Sequence, residues 1–161
     1  MSDGLSIRAA TKADSELVFS FIRDLAAYEK LLDDVVATPA DIERALFAEH
    51  PRVFCDIAEW GGQAAGFALW FYNFSTFRGR HGIYLEDLFV RPQFRGKGIG
   101  RALLQHLAKR AVAEGCARVE WWVLDWNEPS IEFYKSLGAV PMKEWTVFRL
   151  TGDALKKLGG S

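Results

Sequence analysis

Residues 91–100, RPQFRGKGIG, place three glycines and three cations directly after the apolar run 88–90. Glycines let backbone N–H groups approach a ligand, and the start of a helix favours an anion. No acidic residue lies between Asp87 and Glu114, so nothing in this stretch repels negative charge. The segment predicts a site for a phosphate pair, and an ordinary strand-to-helix turn with solvated cations stays open as the alternative.

Two common phosphate motifs do not fit this stretch. A Walker A loop needs GxxxxGK[ST], and neither its glycine spacing nor its Lys-Ser/Thr pair is present. A dinucleotide fingerprint starting at Gly96 and Gly98 needs a third glycine at position 101, which is Arg101. What remains is the pattern Arg95-x-x-Gly98-x-Gly100 between a strand and a helix.

Hydrophobic periodicity predicts the elements that position this loop. Strands are expected at 5–9, 52–60, 64–73, 82–90, 118–124 and 145–150, followed by a polar tail. Helices are expected at 11–29, 38–47, 98–114 and 127–137. Hairpin signals favour antiparallel neighbours, while strand 82–90, helix 98–114 and strand 118–124 form a crossover unit. The expected fold is α/β, with a mixed, mostly antiparallel central sheet flanked by helices.

Composition limits the class of protein. No repeat or linker interrupts the 161 residues, so one domain spanning 1–161 is expected. The formal net charge of −1 provides no field for nucleic acid or an anionic membrane, which favours a small partner. Residues 1–14 carry no apolar leader, and no stretch approaches the ~20 apolar residues of a membrane span. A cytoplasmic protein is expected.

Other reactive residue types receive structural interpretations. Two cysteines are too few for a disulfide scaffold, no Cys or His pair has zinc-ligand spacing, and no metal is expected. Cys116 is expected to be a buried small hydrophobe. Without a GxSxG elbow, the three histidines are expected at the surface: His50, His81 and His106. Three tryptophans are expected to fill the core: Trp121, Trp122 and Trp126.

Two segments resemble the GNAT N-acetyltransferases. YLEDLFVRPQFRGKGIGRALL, residues 84–104, is similar to the family's acetyl-CoA signature, whose Arg/Gln-x-x-Gly-x-Gly/Ala loop holds the CoA pyrophosphate. DWNEPSIEFYKSLGA, residues 125–139, resembles the segment in which an Asn contacts the cofactor and a Tyr lies near the departing thiolate. Within the family, YLED, RGKGIG and WNEPSIEFYK resemble the diamine (spermidine/spermine) acetyltransferases. FSTFRGR, YEKL and LDWN resemble the thialysine acetyltransferases.

The resemblance implies a GNAT-type fold, acetyl-CoA as co-substrate and a homodimer. It implies that backbone N–H groups near 88–90 polarise the thioester carbonyl. The residues implied to bind acetyl-CoA are Leu88, Phe89, Val90, Arg95, Gly96, Lys97, Gly98, Ile99, Gly100, Arg101, Asn127, Pro129, Ser130 and Tyr134.

The predicted chemistry needs a base and an acid. An alkylammonium has a pKa of about 10.4, so a base must remove its proton before the amine attacks. Glu86, just before the loop, is the predicted base, acting directly or through a water, and a solvated or ion-paired Glu86 is the alternative. Alternation places Glu86 and Asp87 on opposite faces, so one can reach the substrate while the other is structural.

Tyr134 is the predicted acid that protonates the CoA thiolate. It lies seven residues, about two helical turns, after Asn127, so a ligand along one side of this helix can touch both. The alternative is that Tyr134 only packs against its helix neighbours and ties its hydroxyl to one of them.

The acceptor is predicted from an aromatic and acidic cluster at the end of the first helix. By the resemblance, Tyr28 and Glu29, with Glu86 and Asp87, bind the substrate amine, and Asp33 and Asp34 border its entrance. Nearby cations dilute the negative field and suit an amine that carries its own carboxylate: Lys30, Arg78 and Arg80. A lysine-like or thialysine-like amine is therefore placed ahead of spermidine. Acetylation of protein amines and a non-catalytic acyl-CoA sensor are the other hypotheses.

Overall fold

A computed structural model describes residues 4–160. One sheet contains five strands in spatial order: β1 (Leu5–Ala9), β2 (Phe54–Trp60), β3 (Gln63–Ser75), β4 (Arg80–Val90) and β5 (Val119–Trp121). The helices of these residues are α1 (Ser15–Tyr28), α2 (Pro39–Leu46), α3 (Ile99–Ala113), α4 (Glu128–Ser136) and α5 (Gly152–Gly159). Neighbouring strands pair antiparallel from β1 to β4, and β4 pairs parallel with β5. This topology confirms the predicted α/β fold.

The chain divides into two compact units, the first ending at Trp122 and the second beginning at Val123. The first unit contains the whole sheet with α1, α2 and α3, and the second contains α4 and α5. A single domain over 1–161 stays a prediction.

Local sequence signals fix several boundaries in the first unit. Thr38 caps α2 by accepting a hydrogen bond from the Asp41 N–H at 3.2 Å, while the Asp41 carboxylate accepts from the Thr38 N–H at 2.8 Å. This reciprocal arrangement is the capping box that the sequence indicates. Gly61 and Gly62 both have positive φ, 58° and 80°, as the tight turn between β2 and β3 requires.

The sheet of the first unit is covered on both faces. On one face, Phe21 of α1 stacks on Phe67 of β3 with ring centroids 5.2 Å apart. The buried cluster on this face comprises Val18, Phe21, Leu46, Cys55, Ile57, Phe67, Leu69 and Phe89. Asp56, between Cys55 and Ile57, lies on the other face because side chains alternate along a strand. There its carboxylate lies 3.5 Å from His106 Nε2 of α3.

The predicted strand at 145–150 is wrong for the described structure. Residues 145–150 form neither strand nor helix, and Trp145 and Phe148 are 74% and 93% exposed. The segment is rich in the aromatic and β-branched residues typical of a strand, but a strand also needs a neighbour that pairs its backbone groups. Among the pairings of residues 4–160, none includes this segment. The following segment, for which only a polar tail is predicted, forms α5.

The region around β5 is shorter and more exposed than predicted. The strand expected at 118–124 spans Val119–Trp121, and its residues are half-buried. Trp122 and Trp126 are 59% and 49% exposed, so the prediction that they fill the core is wrong. Cys116 is half-buried rather than buried. The pairing with β4 covers only three residues of each strand, which leaves little sheet surface for a larger core here.

Candidate active site

A β-bulge in β4 lies next to the glycine loop. Leu69 of β3 pairs with Asp87, but the next residue, Trp70, pairs with Leu85, so Glu86 has no partner on β3. A bulge interrupts the alternation of side chains, so the simple alternation expected for this acidic pair does not apply. Glu86 is exposed, whereas Asp87 is half-buried. The two adjacent carboxylates therefore lie in different environments.

The end of β4 has one open edge. β5 pairs with β4 only at residues 83–85, so residues 86–90 have no strand partner on that side in the described structure. On the other side β3 approaches so closely that a Cβ added at Gly66 would lie 2.5 Å from the Phe89 carbonyl oxygen. The open edge includes Leu88 to Val90, which were predicted to donate backbone N–H groups to a thioester carbonyl.

Two buried side chains anchor the loop that follows β4. Phe94 closes a 3₁₀ turn and Ile99 begins α3, and both are less than 10% exposed. Between them, residues 95–98 are exposed. Gly96 and Gly98 both have a φ of 79°, in the left-handed region that side chains disfavour. A Cβ at either position would meet no heavy atom within 4 Å, so backbone conformation explains these glycines.

Backbone N–H groups accumulate where the loop enters α3. Within the described chain, the N–H groups of residues 96–101 donate no hydrogen bond, and the first helical bond runs from the Ala102 N–H to the Gly98 carbonyl at 3.0 Å. Three cations are exposed around these groups: Arg95, Lys97 and Arg101. The N-terminus of a long helix with free N–H groups and nearby cations can hold a diphosphate.

The end of α1 lies close to the glycine loop. The Arg95 guanidinium carbon is 5.2 Å from the Tyr28 ring centroid and 5.4 Å from that of Phe89. Arg95 Nε also donates to the Val90 carbonyl at 3.0 Å. Because Glu29 directly follows Tyr28, the structure brings the predicted amine cluster and the predicted phosphate loop together within the first unit.

The carboxylates in this region have perturbed proton affinities. Burial, followed by the negative charges of Glu86 and Glu29, raises the pKa of Asp87 to about 7. Burial also raises the pKa of Glu29 above its ordinary value. Carboxylates close together resist simultaneous ionisation, so a bound cation would stabilise their charged forms.

Two of the cations expected beside this cluster lie elsewhere. Arg78 and Arg80 belong to the turn between β3 and β4 and the first residue of β4. At ~3.3 Å per residue, the seven residues from Arg80 to Asp87 span about 23 Å. Lys30 alone of the three directly follows the cluster, in a left-handed conformation with a φ of 63°. The prediction that Arg78 and Arg80 weaken the negative electrostatic field at the acidic residues of the same chain is therefore wrong.

The second unit carries the other predicted motif on α4. Asn127 is buried and caps this helix, because its Oδ1 accepts a hydrogen bond from the Ser130 N–H at 3.4 Å. Pro129 stands in the first turn, where a missing N–H costs nothing. Tyr134 is half-buried, with its ring centroid 5.6 Å from that of Phe133. The two helical turns predicted between Asn127 and Tyr134 are present.

Contacts that the sequence did not predict connect Arg91, the residue after β4, to α1. Arg91 Nη2 donates to Ser20 Oγ at 3.0 Å, and its Nε lies 3.6 Å from the Asp24 carboxylate. The guanidinium also lies over the Phe21 ring at 4.5 Å. These partners are about 70 residues away in sequence, and no local sequence pattern predicts the contacts.

His106, expected at the surface, is half-buried beside Asp56.

Two features are absent from residues 4–160. None of their helices combines the length and apolar character needed to cross a membrane. The same residues contain no group of three or more His, Cys, Asp or Glu side chains arranged to hold a metal ion.

Known proteins are similar to this chain in sequence and in fold. The model of the "Acetyltransferase (GNAT) family" matches residues 19–139. A thialysine N-epsilon-acetyltransferase of Bos taurus is 37% identical over 96% of both chains. An L-ornithine N5-acetyltransferase of Arabidopsis thaliana is 50% identical, with 94% of this chain and 86% of that protein aligned.

A solved structure of an integron cassette protein from the mobile metagenome of V. cholerae has a TM-score of 0.81 and 33% identity. The match covers 98% of this chain and 99% of that one. Because the family model covers more than half of the chain and named N-acetyltransferases align along nearly all of it, the chain belongs to the GNAT acetyltransferase family and is an acyltransferase enzyme.

Proposed function

We propose that the protein transfers the acetyl group of acetyl-CoA to a terminal amine of a small diamino compound. The observation that carries this proposal is a row of backbone N–H groups, at residues 96–101, that donate no hydrogen bond within the described chain. They lie at the start of α3, beside β4, the strand that contains Glu86 and Asp87. The N–H groups and nearby cations suit the CoA diphosphate, and the carboxylates suit a cationic amine. Acetyl-CoA supplies the acetyl group as a thioester.

The chain's own residues have distinct roles in this proposal. The loop from Arg95 to Arg101 holds the diphosphate, and backbone N–H groups of residues 88–90 stabilise negative charge on the carbonyl oxygen. A carboxylate of the pair Glu86 and Asp87 takes a proton from the ammonium, with Glu86 the residue favoured by sequence. Tyr134 gives a proton to the departing thiolate, and Asn127, Pro129 and Ser130 contribute to cofactor binding.

The preferred acceptor is an amino acid with a side-chain amine, such as lysine, thialysine or ornithine. Two relatives support this choice by name, one a thialysine and the other an L-ornithine acetyltransferase. Tyr28, Glu29, Glu86 and Asp87 offer an aromatic ring and three carboxylates to such an ammonium group. Lys30 is the cation next to this cluster in sequence and suits the acceptor's own carboxylate.

Calorimetry and an amine panel test this proposal. Titration of coenzyme A into the folded protein should release heat, because the diphosphate site does not need the acceptor. Thiol release from acetyl-CoA should then be measured with ornithine, lysine, thialysine, spermidine and a lysine-containing peptide. We expect the free amino acids to give the highest kcat/KM. Absence of binding heat would reject the cofactor, and a higher kcat/KM for the peptide would reject the acceptor.

We further propose that the protein acts as a homodimer in the cytoplasm. Support for the dimer comes from apolar side chains of the second unit that one chain leaves exposed: Val140, Met142, Trp145, Val147, Phe148 and Leu150. Exposed apolar patches of this kind mark association surfaces. Sedimentation should give the mass of two chains, and Phe148→Asp should shift it toward one. Phe77→Asp, at a fully exposed Phe of the first unit, is the matched control. A wild-type mass of one chain would contradict the dimer.

A further inference from the structure

We propose that Asp87, rather than Glu86, accepts the proton that the substrate ammonium must lose before attack. This inference rests on the proposed function, because it assigns one step of that reaction to one side chain. An N–H bond of the ammonium breaks and its proton moves to a carboxylate oxygen of Asp87. The freed nitrogen lone pair forms the C–N bond, and as the C–S bond breaks the leaving thiolate takes a proton from Tyr134. The nitrogen then loses a second proton, which restores the Tyr134 hydroxyl and leaves a neutral amide, and Asp87 releases its proton to water.

The bulge gives the two neighbouring carboxylates different surroundings. Asp87 pairs with Leu69, so it lies on the sheet face that α1 covers, two residues before the buried Phe89. Glu86 is the extra residue of the bulge, and its side chain is exposed. Exposure leaves the Glu86 carboxylate hydrated, whereas Asp87 has lost much of its hydration. A partly desolvated carboxylate has more to gain from taking a proton off a bound ammonium.

Asp87 has no partner of its own in the described chain. Across residues 4–160, neither a hydrogen bond nor an ion pair involves its carboxylate, and the same holds for Glu29 and Glu86. A half-buried carboxylate without a partner is destabilising for the folded protein. Such a group is expected where a cationic ligand supplies the missing partner, which here is the amine to be acetylated.

The titratable groups around Asp87 are Glu86 and Tyr84 in β4, Glu29 directly after α1, and Cys55 in β2. Burial is the first cause that raises the pKa of both Tyr84 and Cys55, so these two stay neutral near pH 7. The remaining neighbours are carboxylates, and both favour a proton on Asp87. With its pKa at about 7, Asp87 can hold or release a proton at physiological pH.

Nearby charged side chains on the adjoining elements have other partners. Arg91 contacts Asp24 at 3.6 Å, and Arg95 donates to the Val90 carbonyl at 3.0 Å. On β5, the Glu120 carboxylate accepts a hydrogen bond from Arg118 at 2.9 Å. No cation therefore neutralises Asp87 among the contacts of the described residues, which keeps the carboxylate available for the substrate.

A matched pair of variants tests the assignment, Asp87→Asn against Glu86→Gln. The measurement is the pH profile of kcat/KM from pH 5.5 to 10 with the best amine of the panel. We expect the wild-type profile to fall below a break near pH 7, where Asp87 becomes protonated. Asp87→Asn should lower kcat/KM about 100-fold at pH 7.5 and remove this break from the profile. Its kcat/KM should instead rise with pH up to the amine pKa of about 10. Glu86→Gln should lower the rate but keep the break.

A stability measurement shows whether Asp87 holds its proton as inferred. The ordinary pKa of an aspartate is 3.8, and the pKa of Asp87 in the folded protein is about 7. Between these two pH values, the folded state binds a proton that the unfolded state has released. This contribution to stability is therefore complete below pH 4 and is lost as pH rises through 7. The amide of the Asp87→Asn variant does not titrate, so the Tm of this variant relative to wild type should rise by roughly 10 °C from pH 4 to pH 8.

The outcomes separate this inference from the function on which it rests. Lack of thiol release from wild-type protein with every amine would overturn the proposed function and this assignment with it. Thiol release by the wild type together with an unchanged break in Asp87→Asn, or loss of the break in Glu86→Gln only, would overturn the assignment alone. A Tm difference that is constant with pH would also count against it, because Asp87 would then not hold a proton near neutrality.

Discussion

Replacement of Tyr134 by Phe is expected to lower kcat about 100-fold while leaving the affinity for coenzyme A within about twofold of wild type. The change removes one hydroxyl and keeps the ring that packs beside Phe133 on α4. In the proposed reaction this hydroxyl protonates the departing thiolate, a step that occurs only after the cofactor has bound. Steady-state kinetics and calorimetry on the same preparation measure the two quantities.

The matched control for this variant is Tyr72→Phe. The Tyr72 hydroxyl donates to Glu114 near the end of α3, and burial with this hydrogen bond raises its pKa to about 12. It has no role in the proposed chemistry, so its loss should leave kcat close to the wild-type value. Equal kcat for Tyr134→Phe and wild type would exclude Tyr134 as the acid.

Substitution of Gly98 by Val should lower the affinity for coenzyme A by about 10- to 100-fold. Gly98 caps α3 with a φ of 79°, and Val disfavours that conformation by at least ~1–2 kcal/mol. Relaxation of the backbone would turn N–H groups of the loop away from the diphosphate. Hydrogen bonds to charged groups are worth ~1.5–3 kcal/mol each, so the loss of one gives a change of this size.

Gly115→Val provides the control at the opposite end of the same helix. Gly115 has a φ of 72° and, like Gly98, has no heavy atom within 4 Å of an added Cβ. Backbone strain should therefore destabilise both variants similarly in thermal unfolding. Calorimetry should show weak coenzyme A binding for Gly98→Val and near-normal binding for Gly115→Val. Similar affinities in the two variants would contradict a diphosphate site at the N-terminus of α3.

Local patterns in the sequence were sufficient to predict the frame around the candidate site. Three of these patterns depend on residues close together in the chain: the capping signal at Thr38, the Gly61-Gly62 turn, and the apolar residues at every fourth position of α3. The same holds for the loop at residues 95–100, where Gly96 and Gly98 have the conformation that only glycine adopts easily.

Features that depend on distant residues were not predictable. Residues 145–150 have the aromatic and β-branched composition of a strand, but composition does not supply a strand that pairs with them. The bulge at Glu86 depends on how β4 aligns with β3. The environment of Asp87 depends on Glu29 at the end of α1. Sequence alone therefore identified the acidic pair but not the difference between its members.

The bulge also limits how the length of β4 can change. Removal of one residue before Asp87 would restore regular pairing with β3 or shift every later residue of the strand by one position. A shift by one would send Phe89 out of the buried cluster and change the path into the glycine loop. Insertions and deletions should therefore be far less tolerated here than substitutions, whereas the exposed turn at residues 76–79 can vary in length.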